Sequence, residues 1–198
     1  MIAKLLARNN RTLILGSGSP RRKQYLEDLG VPFETRISNV SEVYPKELKA
    51  EEIAIYLAEL KFESLEKDLN LNELLVTSDT VVWCEGVSLE KPANKAEAKQ
   101  MIERLSGKTH EVFSAVCIGD RVRRWSSCAT TEVTFRSLSS EEIDFYITHF
   151  EPYDKAGGYG IQEWIGLVGI THLSGSYTGV VGLPTALFYQ GLISFLEE

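Results

Sequence analysis

The residues directly after the first predicted strand could bind phosphate. Glycine and serine alternate over residues 16–19, and proline, Arg21 and Arg22 follow. Ser19 followed by proline is typical of a helix start, where free N–H groups attract anions. Ser17 and Ser19 add hydroxyl donors, and guanidinium groups match phosphate oxygens. A phosphate cradle is one interpretation. A capped helix with two solvated arginines is the other, although cations in a first turn oppose the helix dipole.

Two acidic residues follow predicted strands and could act as a general base or as metal ligands. Asp79 lies where the strand Leu74–Val82 changes from apolar to polar residues, and Glu42 follows the strand Val31–Ile37. In α/β sheets, ligands bind outside the carboxyl ends of strands. A carboxylate placed there can take a proton from water or hold a cation. Taken alone, each is more simply an acidic residue in a turn or polar loop.

Two lysines could carry positive charge into the same region. Lys61 comes four residues after Leu57, so both lie on the helix side that faces the core. Lys91 stands at a strand end, before a proline. The simpler interpretations are a lysine that extends its ammonium group to water and a lysine in a surface turn.

A glycine-rich segment, residues 154–162, could read a nucleobase. Three glycines in four positions indicate unusual backbone angles or the close approach of a ligand. Lys155 adds a cation near its start, and Gln162 ends it with an amide that both donates and accepts hydrogen bonds. A mobile loop with a solvent-facing glutamine fits the composition equally well.

Hydrophobic periodicity and capping residues predict the elements that position these side chains. Strands are predicted at Thr12–Leu15, Val31–Ile37, Leu74–Val82 and Gly166–Leu173, with two more between Thr109 and Phe135 and a hairpin at Glu85-Gly86 that leads into Ser88–Lys91. Helices are predicted at Pro20–Leu29, Ala50–Leu69, Asn94–Leu105, Ser139–Phe150 and Pro184–Leu196. Helices and strands mix without strict alternation, so we expect an α/β fold with a mixed sheet.

Composition limits the class of protein. A chain of 198 residues, 43% hydrophobic and 25% charged, is typical of one globular domain and excludes disorder and coiled coil. A formal charge of -7 argues against a dedicated nucleic-acid binder. All charged residues before Glu27 are nevertheless basic, because Glu27 is the first acidic residue of the chain. A local positive field in an acidic protein indicates one anionic ligand at one place.

The cysteines, the histidines and the length of the apolar stretches indicate the cellular compartment of the protein. Three cysteines without a C-x-x-C pair are typical of a reduced, cytoplasmic protein. Scattered histidines argue against zinc. Apolar stretches fall short of the ~18–20 residues that a membrane span needs, so we expect no membrane partner. An arginine-rich start without acidic residues is also a feature of transit peptides.

Taken together, the motifs resemble those of the Maf family of nucleoside triphosphate pyrophosphatases. The matching blocks, in the family's order, are S-G-S-P-R-R (17–22), Glu42, Lys61, S-D-T (78–80), E-K-P (90–92), L-S-G-K-T-H (105–110), D-K-A-G-G-Y-G-I-Q (154–162) and G-S-Y…V-V-G-L-P (175–184). They cover nearly the whole chain. One departure is Ser41 before Glu42, where many members carry an acidic residue.

The resemblance implies a fold and a reaction. The fold is a two-lobed α/β structure with a central mixed β-sheet and a deep cleft, shared with the inosine triphosphate pyrophosphatases. The reaction is hydrolysis of a nucleoside triphosphate to the monophosphate and pyrophosphate with a divalent cation, Mg²⁺ or Mn²⁺. We therefore expect one two-lobed domain over residues 1–198, a homodimer, and a role in clearing nucleotide pools or arresting cell division.

The resemblance also implies roles for single residues. Asp79 is the proton acceptor and, with Glu42, the metal ligand, and Lys61 and Lys91 assist catalysis. The expected phosphate-binding residues are Ser17, Ser19, Arg21, Arg22 and Lys155. Arg21, Thr80 and Gln162 match the residues found in members that prefer dTTP and UTP. Modified pyrimidine nucleotides are further candidate substrates. Members that prefer 7-methyl-GTP tend to carry tryptophan, glutamine and glutamate there.

Two other functions stay open. A nucleotidyltransferase can begin with a comparable strand, glycine loop and arginine, but it would need an acceptor substrate. A non-catalytic nucleotide-binding regulator of septum formation would have no reason to keep Glu42, Lys61, Asp79 and Lys91 together. Their joint presence favours the enzyme.

Overall fold

One mixed sheet organises the chain in a computed structural model that describes residues 1–197. Its strands are β1 (Thr12–Leu15), β2 (Phe33–Thr35), β3 (Glu73–Cys84), β4 (Val87–Leu89), β5 (Thr109–Gly119), β6 (Arg124–Phe135) and β7 (Ile170–Ser174). The helices are α1 (Ile2–Arg8), α2 (Pro20–Asp28), α3 (Glu51–Glu66), α4 (Lys95–Leu105), α5 (Ser140–Phe150), α6 (Trp164–Gly169), α7 (Tyr177–Val181) and α8 (Thr185–Glu197), with a short 3-10 turn at Ala156–Gly158.

The strand order is β2-β1-β3-β5-β6-β7, and β4 pairs with β3 outside this path. β1 runs parallel to β2 and β3, whereas the pairs β3–β5, β5–β6 and β6–β7 are antiparallel. The predicted α/β fold with a central mixed sheet is therefore confirmed.

One edge of β3 is left open in its middle. β1 pairs with β3 as far as Val76, and β4 pairs with it from Val82 onward. Between these two contacts, the backbone of Thr77–Val81 has β5 on one side and a gap in the sheet on the other. This gap lies beyond the carboxyl end of β1, where ligands of α/β sheets bind.

Three apolar clusters pack around the sheet. α3 covers one face of β1, β3 and β5 through side chains such as Leu57 and Phe62. α1, α2 and α8 cover the other face, where Phe188 is fully buried. α4 and α5 pack with the far ends of β3, β5 and β6 around Phe135 and Tyr146. The open edge of β3 lies between these clusters.

Most predicted elements are present within a few residues of their expected bounds, but one predicted strand differs and the helices α1 and α7 were not predicted. The predicted strand Gly166–Leu173 is wrong in its first half, because α6 occupies Trp164–Gly169 and β7 begins only at Ile170. Five small or apolar residues in a row do not distinguish a helical turn from a strand. α1 was not predicted, and it is held by Ile2 and Leu6, which both lie in the apolar cluster beside α8.

Within residues 1–197, no helix combines the length and the apolar character that crossing a lipid bilayer requires.

Candidate active site

The gap beside β3 opens into a cleft with a volume of about 430 Å³. This is within the range of roughly 300–1,000 Å³ that is typical of small-molecule sites. Every side chain predicted from the sequence lines it: Ser17, Ser19, Arg21, Arg22, Glu42, Lys61, Asp79, Thr80, Lys91, Lys155 and Gln162. The structure thus brings together residues from six separate segments of the chain.

The loop before α2 and the helix start form one hydrogen-bonded unit. Ser19 Oγ accepts from the backbone N–H of Arg22 at 3.5 Å and caps α2. Ser17 Oγ accepts from Ser19 N–H at 3.2 Å and from Arg22 Nη1 at 3.1 Å, while Arg22 Nε donates to the carbonyl of Gly182 at 2.8 Å. Burial lowers the pKa of Arg22, and the charge of Asp79 opposes that shift. Arg22 is therefore fixed inside the cleft and is not a solvated arginine.

The two glycines of this loop have different roles. A Cβ on Gly16 would lie 2.6 Å from Thr77 Cγ2, so the glycine permits close packing of the loop on β3. A Cβ on Gly18 would come no closer than 3.5 Å to Ile37. Gly16 is therefore needed for packing, whereas Gly18 leaves room beside Ile37.

A carboxylate pair meets at one ammonium group. Lys61 Nζ lies 2.7 Å from Glu42 Oε1 and forms a short ion pair with Asp79 Oδ1. Lys91 Nζ lies 3.5 Å from Glu42 Oε2. The Lys61 side chain is only 11% exposed, so the interpretation as a lysine extended into water is wrong.

The two carboxylates differ in basicity. Burial raises the pKa of Asp79 above its ordinary value, although Lys61 and Arg22 oppose the shift. Burial would also raise the pKa of Glu42, but the hydrogen bond and charge of Lys61, with Lys91, bring it below its ordinary value. Asp79 is thus the better proton acceptor of the pair, and Glu42 keeps its negative charge more firmly.

The same pair suits a divalent cation. Among residues 1–197, no three histidine, cysteine or acidic side chains converge as a metal cluster. Mg²⁺ does not need one, because it is usually bound by one or two carboxylates together with waters and substrate phosphates. Glu42 and Asp79 both contact the ammonium of Lys61, which shows that their oxygens converge where a positive charge is stabilised.

Asp154 joins the two sides of the cleft. Arg21 Nη1 lies 2.7 Å from Asp154 Oδ2, and Lys155 Nζ lies 2.6 Å from Asp154 Oδ1. Burial would raise the pKa of Asp154, but Lys155 and Arg21 outweigh it and lower that pKa. An anion entering the cleft must therefore compete with Asp154 for both cations.

Side chains from neighbouring parts of the chain anchor the glycine-rich segment. Tyr146 OH accepts from the backbone N–H of Gly160 at 2.9 Å and donates to Glu163, which also pairs with Lys155 at 3.1 Å. Tyr159 OH is 2.8 Å from Nε2 of buried His110. The side chain of Gln162 is exposed at the end of this segment. Hydrogen bonds and an ion pair therefore anchor residues 154–162, while the solvent-facing glutamine of the alternative interpretation is observed.

Comparison with known proteins identifies the family. The family model described as "Maf-like protein" matches residues 12–195. The chain belongs to the Maf family. A curated relative named dTTP/UTP pyrophosphatase from Flavobacterium johnsoniae is 50% identical over 93% of this chain and 95% of its own. Another of that name, from Christiangramia forsetii, is 46% identical over the full length of both.

Solved structures are more distant from this Maf-family chain. A nucleoside-triphosphatase, or dITP/XTP pyrophosphatase, from Mycobacterium abscessus aligns with 63% of this chain and 74% of its own at 13% identity. The TM-score is 0.38, so this alignment carries no weight for the fold or the site.

Sequence reasoning left out three contributors to this Maf-family site. Gly182 holds Arg22 through its carbonyl oxygen, and Asp154 pairs with Arg21 across the cleft. Tyr44 lines the cleft and donates to Glu90 Oε1 at 2.9 Å. Gly182 and Asp154 lie inside motif blocks, but backbone acceptors and a counter-ion next to a lysine give no distinctive sequence signal.

Proposed function

We propose that this chain hydrolyses dTTP and UTP, with modified pyrimidine nucleotides as further substrates, to the monophosphate and pyrophosphate. The observation that carries the proposal is one cleft lined by five cationic side chains and by a buried carboxylate of raised pKa. A nucleoside triphosphate carries about four negative charges, which this arrangement complements. The relatives named dTTP/UTP pyrophosphatase match over nearly the whole chain and support the substrate class.

The loop before α2 would bind the phosphate tail. The first turn of α2 offers free N–H groups, and Ser17 and Ser19 add hydroxyls beside them. Arg22 is pre-positioned by Ser17 and Gly182, so its ordering costs little when the substrate binds. Arg21 and Lys155 would release the carboxylate of Asp154 and bind phosphate oxygens in its place.

Asp79 would orient a water molecule and accept its proton. The water oxygen forms a bond to the α-phosphorus as the bond to the bridging oxygen of pyrophosphate breaks. Lys61 holds the carboxylate in place, and Lys91 adds positive charge beside Glu42. General-base assistance of this type contributes roughly 10²–10⁴ in rate.

Glu42 and Asp79 would hold Mg²⁺ or Mn²⁺. When bound, the ion supplies Lewis-acid neutralisation of the phosphate charge. The proposal includes a requirement for this ion, a homodimeric state, a cytoplasmic location and a role in cell division.

Arg21, Thr80 and Gln162 would select the pyrimidine. Thr80 lies beside Asp79 on β3 but extends to the opposite face of the sheet, because successive side chains of a strand alternate. Gln162 approaches from the glycine-rich segment, and the Arg21–Asp154 pair joins that segment to α2. A base would therefore be contacted from both sides of the cleft.

A pyrophosphate-release assay over a panel of triphosphates, with and without Mg²⁺, tests the proposal. We expect release from dTTP and UTP with no acceptor substrate present, and little from ATP or GTP. Release only after a sugar phosphate is added would indicate a nucleotidyltransferase. Tight binding of UTP without any turnover would indicate the non-catalytic regulator.

A further inference from the structure

Thr80 is connected to a buried serine on the neighbouring strand. The antiparallel register of β3 and β5 places Thr80 directly opposite Ser114, and their hydroxyl oxygens are 3.0 Å apart. Thr80 lines the cleft, whereas Ser114 is only 1% exposed and lies behind it. The Thr80 hydroxyl therefore links buried Ser114 to the cleft.

The hydroxyl protons of Thr80 and Ser114 can be assigned by counting the hydrogen-bond donors and acceptors around them. Ser114 Oγ lies 2.7 Å from the carbonyl oxygen of Gly179, which can only accept a hydrogen bond. A hydroxyl has one proton, so the proton of Ser114 is used on Gly179. In the contact between the two hydroxyls, Thr80 must donate. The remaining hydrogen-bonding capacity of Thr80 is then that of an acceptor.

The Gly179 carbonyl is itself held firmly. Gly179 N–H donates to Ser176 Oγ at 3.0 Å, which caps α7, and Ser176 N–H donates to Thr131 Oγ1 on β6 at 2.9 Å. The acceptor that orients Ser114 is therefore fixed to the sheet, and the direction of the hydrogen-bond chain does not depend on the ligand.

We propose that Ser114 is a positioning residue that fixes Thr80 as a hydrogen-bond acceptor, so that the cleft favours a base with a ring N–H donor. Uracil and thymine carry this donor at N3, whereas N3 of cytosine is a lone-pair acceptor. Two acceptors would face each other if cytosine took the same position, which leaves both without a partner. This inference rests on the proposed pyrophosphatase function and deepens it to the imide bases.

The ratio of kcat/KM for UTP to that for CTP tests the inference. In Ser114→Ala, Thr80 loses its acceptor and can turn its proton toward the cleft. We expect the ratio to fall roughly three- to tenfold, the value of one neutral hydrogen bond, while turnover of UTP continues. A purely structural defect would lower both activities by one factor and leave the ratio unchanged.

Ser78→Ala is the matched control. Ser78 is equally buried on the same face of β3, and its hydroxyl donates to the carbonyl of Gly182 at 3.4 Å. Loss of the Ser78 hydroxyl should leave the ratio of kcat/KM for UTP to that for CTP at its wild-type value. If Ser114→Ala does not fold, Thr80→Val removes the acceptor directly, and the ratio must fall in that variant.

Three results would overturn the inference. They are an unchanged ratio in folded Ser114→Ala, an unchanged ratio in Thr80→Val, and equal hydrolysis of UTP and CTP by the wild-type protein. Each of these leaves pyrophosphatase activity in place. Absence of pyrophosphate from any triphosphate would instead contradict the proposed function.

Discussion

Asp79 and Thr80 are adjacent in the sequence but serve opposite faces of β3. Asp79 faces α3, where it meets Lys61, and Thr80 faces α7 through Ser114. The alternation of a strand thus separates the proposed proton acceptor from the proposed base contact by one residue. Both side chains reach the same cleft because this part of β3 has an open edge.

Asp79→Asn should lose most of the turnover. The amide keeps the size of the side chain but cannot accept a proton from water, so we expect kcat to fall roughly 10²–10⁴-fold. Thermal unfolding should confirm the fold, and calorimetry should show that nucleotide binding is largely kept. Near-normal kcat in this variant would remove Asp79 from the mechanism.

Gln162→Glu should weaken the preference for pyrimidines. The change replaces the amide N–H₂ donor with a carboxylate that only accepts, at nearly constant volume. The measurement is kcat/KM for UTP relative to ATP, with Gln162→Met as the control that removes polarity without adding charge. If the preference for dTTP and UTP survives unchanged in both variants, Gln162 does not read the base.

The identity of the site residues could be predicted from the sequence, but their pairing could not. Family motifs placed Asp79, Glu42 and Lys61 in one site, and the structure brings them together. The ion pair between Arg21 and Asp154 spans 133 residues and depends on how two segments close around the cleft. No local pattern of charge or hydropathy contains that information.

The loop between β1 and α2 shows how elements position these side chains. Gly16 ends β1 against β3, and Ser19 begins α2 through its capping hydrogen bond. The element ends were predictable from the capping residues and the glycines. The boundary of β7 was not, because Gly166 allows a helical turn to pack closely on the chain: a Cβ there would lie 1.8 Å from the carbonyl oxygen of Ile161.

Gly16→Ala and Gly18→Ala should differ in stability. The added methyl at Gly16 would overlap Thr77 and press on Leu75, so we expect a loss of about 1–3 kcal/mol, typical of overpacking. The same methyl at Gly18 fits beside Ile37, and the unfolding free energy should stay within about 0.5 kcal/mol. Urea denaturation of the two variants measures this. Equal stabilities would refute the packing role of Gly16.

Across the whole chain, one buried histidine should couple stability to pH. Burial lowers the pKa of His110 from 6.5 to about 4. The unfolded chain therefore binds a proton that the folded protein does not, so stability present above pH 6.5 is lost as the pH falls toward 4. The loss from this group is roughly 2–3 kcal/mol.

Denaturant unfolding at several pH values tests this coupling against His110→Gln, which cannot titrate. The variant should show a flatter dependence between pH 6.5 and 4.5. Below pH 4.5 the carboxylates also contribute, since the hydrogen bond from Arg136 lowers the pKa of Glu142 to about 2. Equal slopes for the two proteins in the upper window would show that His110 is not the group responsible.

The cleft as a whole is proposed to direct water to the α-phosphorus of a bound triphosphate. Hydrolysis of UTP in ¹⁸O-labelled water, followed by mass spectrometry of the products, measures this most directly. We predict that the label enters the uridine monophosphate and that the pyrophosphate stays unlabelled. Label in the pyrophosphate, or release of orthophosphate in its place, would contradict the proposed reaction.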